Sequence, residues 1–136
     1  MIKIATAFKK IGKDKRGFTL VELMAVLAVL AIIAAIAVPR FTGTINTAKK
    51  NADKASAQII ARAAEQKYLD DQSTGTVTYV VKEGSNIQNN LVPDYLKEVP
   101  KVQNNNSATS WSATVENGKC TGVFYGDSAS GTNLLQ

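Results

Sequence analysis

One carboxylate stands at the start of a long apolar run. Glu22 is preceded by KRGFTLV and followed by sixteen residues, Leu23 to Val38, that are all apolar. A charge at the centre of a bilayer costs about 2.5–3.5 kcal/mol on insertion scales; near the end of the span, where Glu22 lies, the cost is lower, so the acid reads either as an interfacial one tolerated by lipid or as one with a cationic partner. Gly17 lies between a basic block and the apolar run. It has no side chain to obstruct a protease and adopts extended conformations readily, which marks it as a cleavage point. A cut there frees an α-amine near Glu22, and the two groups are of opposite charge. The rest of the chain offers little chemistry. There is no histidine, which removes the usual general base, and Cys120 is the single cysteine. One thiol excludes an intrachain disulfide and, without histidine, any Cys/His zinc site. The carboxylates do not pair into an acid–base site. No enzyme activity, metal or cofactor is expected.

The element that must position Glu22 is a helix. Phe18 to Val38 is 21 residues, about 31 Å at 1.5 Å per residue, which matches the hydrocarbon thickness of a bilayer. A secretory signal peptide has a shorter apolar region and a small-residue cleavage site at its exit. Here the run leads straight into Pro39, Arg40 and Phe41, so the segment reads as a retained anchor. The formal net charge is +5. Six bases (Lys3, Lys9, Lys10, Lys13, Lys15, Arg16) precede Phe18 against one acid, Asp14, and the remaining side chains balance. A basic block ahead of an apolar span holds that end in the cytoplasm, and nucleic-acid binding by the subunit is not expected.

Beyond Arg40 the helical pattern continues. Ile45, Ala48, Ala52, Ala55, Ile59 and Ala63 recur at three- and four-residue spacing and predict a narrow stripe suited to close approach of a sheet or another helix: core against the head sheet, with another side left for neighbouring subunits. Lys49 and Asp53, off that stripe, are one turn apart and form a weak pair. Pro39 removes a helix hydrogen bond and Gly43 adds freedom, which predicts a continuous, kinked helix. The polar run Asp70 to Gly75 ends it near Leu69 to Gln72. Thr76–Lys82, Trp111–Val115 and Lys119–Tyr125 are strand candidates, the last two joined by Asn117-Gly118, a type I′ hairpin signal. Leu91 to Val99 reads as a loop or helical turn, Gln103 to Ser110 as an Asn-rich loop, and the tail after Asp127 as a loosely held one. Cys120, Trp111 and the tyrosines are expected to be core.

The nine residues Lys15-Arg16-Gly17-Phe18-Thr19-Leu20-Val21-Glu22-Leu23 resemble the class III processing signal of type IV prepilins and the related pseudopilins. The resemblance covers about residues 13 to 41. It implies cleavage after Gly17 by a membrane-embedded prepilin peptidase and N-methylation of Phe18. It further implies an assembly role for Glu22, which matches the family's acid at mature position five, and a helix kink at Pro39. LVPDYLKEVPK resembles segments of pilin heads. The carboxy-terminal disulfide of many Gram-negative pilins is absent here.

The expected fold is therefore α+β, a long, partly transmembrane helix packed on a small antiparallel sheet. Its divisions are a leader at 1–17, a transmembrane and assembly helix at 18–41, an amphipathic continuation at 42–72 and the head at 73–136. The expected function is a pilus subunit for attachment, motility or DNA uptake, self-polymerised by an assembly ATPase on an inner-membrane platform. It would be a single-pass precursor with its head outside, then part of an extracellular fibre. A pseudopilin of a type II secretion or competence apparatus is the alternative within the fold. A plain membrane-anchored binding protein is the alternative outside it.

Overall fold

The computed structural model describes residues 17–84 and 87–136. The basic block up to Arg16, and with it most of the expected leader, lies outside the described residues. The chain divides into two compact units between Arg40 and Phe41. Helix α1 runs Leu20–Asp70, followed by β1 (Thr76–Val81), β2 (Trp111–Glu116) and β3 (Lys119–Tyr125). The helix assignment continues through Pro39 without interruption, although the missing N–H leaves the carbonyl one turn earlier without its helical donor.

The strands form an antiparallel sheet in the order β1-β2-β3. Asn117 and Gly118 both take positive φ, 50° and 84°, as the expected type I′ turn requires. On β2, Trp111, Ala113 and Val115 point to one face, opposite Val81, Tyr79 and Val77 of β1. That face carries the core with Val123 and Cys120 of β3. Thr121 is an extra residue where the register shifts beside Thr114 and Val115. A Cβ on Gly122 would come within 2.7 Å of the Phe124 ring, so only glycine lets that ring lie across the strand.

Two expectations need correction. The helix face that meets the sheet is Asp53, Ala57, Ile60, Ala61, Ala64 and Tyr68, not the stripe through Ala48 and Ala55. At 100° per residue the two faces are about 150° apart. Both are rich in alanine and both repeat at three and four. The true core face is interrupted by Asp53, and periodicity in apolar residues alone passes it over. The tail is not loose either. Leu134 is buried in the core, its N–H donates to the Val123 carbonyl at 3.0 Å, and Asn133 brackets the β3 edge by accepting from Val123 N and donating to Thr121 O. Asp127 starts this segment by accepting from Lys82 at 2.8 Å and from Ser110. Those two donors hold its carboxyl below the usual range. Two leucines at the end of a polar stretch were the available signal.

The helix ends by a route the polar stop did not reveal. Gln72 takes φ 47°, Gln72 N donates to Leu69 O, and Ser73 N donates to Tyr68 O. This is the Schellman pattern with Gln72 in the left-handed position that glycine usually fills. Gln72→Gly is expected to raise stability by about 0.5–1 kcal/mol by relieving that conformation. Thermal unfolding of the detergent-solubilised protein reads the gain.

Candidate assembly site

The first described residues, 17–19, are non-helical, and Thr19 caps the helix that follows. Its hydroxyl accepts the Glu22 N–H at 3.2 Å and lies 3.5 Å from the Glu22 carboxylate, to which it donates. Threonine three residues before glutamate, ahead of an apolar run, is a capping-box spacing. The signal was present in the sequence and is a second use for Glu22 beside the one expected there. An acid in the first turn also complements the positive end of the helix. Gly17 is exposed, with nothing within 4 Å of where a Cβ would stand. Phe18 is 86% exposed. Gly17, Phe18 and Glu22 are all exposed, within six residues of one another in sequence about the start of α1.

From there to Phe41 the helix is uncovered. Every residue from Leu20 to Arg40 is exposed, and α1 is long and apolar enough to cross a membrane. Pro39 lies inside this helix, and Gly43, past the unit boundary, has open space around it. The Gly43 carbonyl accepts the Thr47 hydroxyl at 3.1 Å. In the second unit the apolar stripe of Ile45, Ala48, Ala52, Ala55 and Ile59 is also exposed, because the sheet occupies the far side of the helix.

Asp53 is the residue that periodicity missed. It is fully buried and does not pair with Lys49. Its carboxylate accepts Gln103 N at 2.8 Å, Asn104 N at 2.8 Å and the Tyr125 hydroxyl at 2.7 Å. The Asn-rich loop is thereby fastened to α1. Trp111 holds the same segment from the other side by donating its indole N–H to the Pro100 carbonyl at 2.6 Å. Burial, then the bond to Asp53, pushes the Tyr125 phenol up to about 12. The signal in the sequence was register: Asp53 falls on the same three-and-four series as Ala57, Ile60, Ala64 and Tyr68.

Cys120 is buried, with its thiol pushed up chiefly by burial. This is the behaviour of a small core residue, not of an activated nucleophile. Trp111 and Tyr79 are fully buried, and Trp111 packs on Tyr125 with ring centroids 5.3 Å apart.

Comparison with known proteins points the same way as the open end of α1. The family described as "Prokaryotic N-terminal methylation motif" matches residues 12–38. Over 116 residues the chain is 31% identical to "Prepilin peptidase-dependent protein A" of Clostridium perfringens (strain 13 / Type A), an alignment covering 77% of this chain and 81% of that protein. No solved structure matches.

Proposed function

The chain belongs to the type IV pilin-like, prepilin peptidase-dependent family, and from that premise we propose that it is the structural subunit of a type IV pilus. In this reading prepilin peptidase cuts between Gly17 and Phe18 and methylates the new terminus. The membrane-held subunit is then passed by the assembly ATPase and its inner-membrane platform into a homopolymer. The fibre serves attachment, motility or DNA uptake. The observation that carries the reading is the uncovered helix: the residues from Phe18 to Phe41 are exposed on all sides, far beyond what a soluble monomer leaves in water. Lipid covers such a helix before assembly, and neighbouring copies cover it after. In the second unit the exposed residues Ile45, Ala52 and Ile59 stand at strict seven-residue spacing, the repeat that keeps one helix against another.

A pseudopilin in a short secretion or competence assembly would use the same amino-terminal machinery, and electron microscopy of sheared surface fractions separates long fibres from short ones. Cleavage is tested first. Mass spectrometry of the purified mature chain is expected to find a terminus at Phe18 carrying one methyl group. A chain that still begins at Met1 would favour a plain membrane-anchored binding protein.

A further inference from the structure

The sheet-facing side of α1 carries cations where its buried face begins. Asp53 is the first buried residue of the helix. Lys50, three residues earlier, falls on the same side at 100° per residue. Together with Lys54 it lines a cleft of about 400 Å³, which Asn104, Tyr125 and Thr132 close from the Asn-rich loop, the end of β3 and the tail. A volume of this order holds a small molecule.

The walls of the cleft are fixed by bonds that point elsewhere. Asp53 spends its carboxylate on Gln103 N, Asn104 N and the Tyr125 hydroxyl. In the tail, Asn133 spends its side chain on the β3 edge, and Leu134 is buried. The donors, in contrast, are not used up. Lys54 gives one proton to the Gln136 carbonyl at 2.8 Å, and an ammonium has three. Among the described residues nothing pairs with Lys50 or with the Thr132 hydroxyl. The lining thus contains two bases and no acid, and the carboxylate beside it, Asp53, is buried with three donors of its own.

We propose that this cleft binds a phosphate ester carried on a small polar group. Phosphate presents acceptor oxygens in several directions, and lysine serves it as a point charge. A planar carboxylate is gripped better by the fork of an arginine, and the lining has none. The phosphate itself, a few times the ~30 Å³ share of a water, fills only part of the cleft. The remaining space, beside Thr132 and Asn104, suits hydroxyls on a carrier the size of glycerol. The site lies within the second unit and does not depend on the filament reading.

A soluble ester and a phospholipid headgroup share this chemistry, so the experiment has two arms. Isotope-labelled full-length chain in an uncharged, phosphate-free detergent is titrated with glycerol 3-phosphate at constant ionic strength. The same chain is then placed in nanodiscs of phosphatidylglycerol or of phosphatidylcholine. Backbone amide shifts of Asn104, Thr132 and Leu134 are followed by NMR. Glycerol 3-phosphate is expected to shift them saturably with a Kd below about 1 mM. Lys50→Gln, shown to keep the wild-type unfolding temperature, is expected to weaken this at least about tenfold. Lys49→Gln removes the same charge one residue away, outside the lining, and is expected to bind as wild type does. Shifts at these amides that appear only with phosphatidylglycerol, and that Lys50→Gln abolishes, would support the site with lipid as its source. No saturable shift in either arm would overturn the proposal. Equal weakening by Lys49→Gln and Lys50→Gln would do so too, since it marks diffuse attraction and not a site.

Discussion

Glu22→Ala is expected to leave the cut between Gly17 and Phe18 intact and to reduce filaments below detection. Thr19→Ala is expected to keep them. The pair separates the two uses of this carboxylate. As a member of the helix cap, Glu22 shares a local arrangement with Thr19, and losing such a cap costs about 0.5–2 kcal/mol. That is a small effect for a helix of 51 residues. If the role that the resemblance implies for Glu22 holds, its partner is a neighbour's α-amine and the two meet in a medium of low dielectric. Unit charges 4 Å apart attract by about 4 kcal/mol at an effective dielectric of 20, before desolvation is set against it. Removing one member also strands the other charge. If capping were the whole role, both variants would lose a similar, modest fraction of filaments. If docking dominates, only Glu22→Ala is severe, and Glu22→Gln follows it because an amide keeps the shape but not the charge. Immunoblots of processed and unprocessed chain, beside filament counts by electron microscopy, read both halves. Wild-type filament yield from Glu22→Ala would end the account.

Local signals were legible where they did not depend on tertiary context. The hairpin at Asn117-Gly118 was plain because only residues tolerant of positive φ fit there. The apolar run of α1 was plain because it is unbroken for sixteen residues and nothing else among the described residues covers it. The helix–sheet interface was not legible. Ala48, Ala52 and Ala55 compete with Ala57, Ala61 and Ala64 for the same reading, and the decision rests on distant partners. Gln103, Asn104 and Tyr125 turn Asp53 from a surface acid into a buried anchor, and those donors lie fifty and more residues away. Leu134 ends a tail rich in Ser, Gly and Asn, and a single leucine at a sheet edge is enough to seat it. Gln72 occupies a glycine-type position, and no propensity rule picks it over the nearby Gly75.

Asp53→Ala is expected to destabilise the second unit by about 3–5 kcal/mol, because it strands three donors in a largely buried site. No cation makes an ion pair with Asp53 among the described residues. Three hydrogen bonds carry the charge, and its removal leaves two backbone N–H groups and a phenol without acceptors. Each orphaned donor costs about 1–3 kcal/mol where water cannot reach it. Asn104 is exposed and Gln103 half-buried, so solvent recovers some of this, which places the total at several kcal/mol and not at the sum of the maxima. Asp53→Asn is expected to cost nearly as much, because its amide group would face donors with a donor. Tyr125→Phe removes one bond and leaves the carboxylate two, so about 1 kcal/mol is lost. The Asp53→Ala/Tyr125→Phe double variant is expected to lose less than the two single losses combined, since the residues share an interaction. Denaturant unfolding of the solubilised chain measures all four variants. A loss below 1 kcal/mol for Asp53→Ala would show that the Asn-rich loop is held by packing and not by this carboxylate. A domain with 5–15 kcal/mol in total loses a large share of it, so cells making Asp53→Ala should hold little subunit of any kind. Cells making Glu22→Ala should hold full amounts of a subunit that does not assemble. The expectation is that one acid serves folding and the other assembly, and the amount of processed chain in the membrane tells them apart.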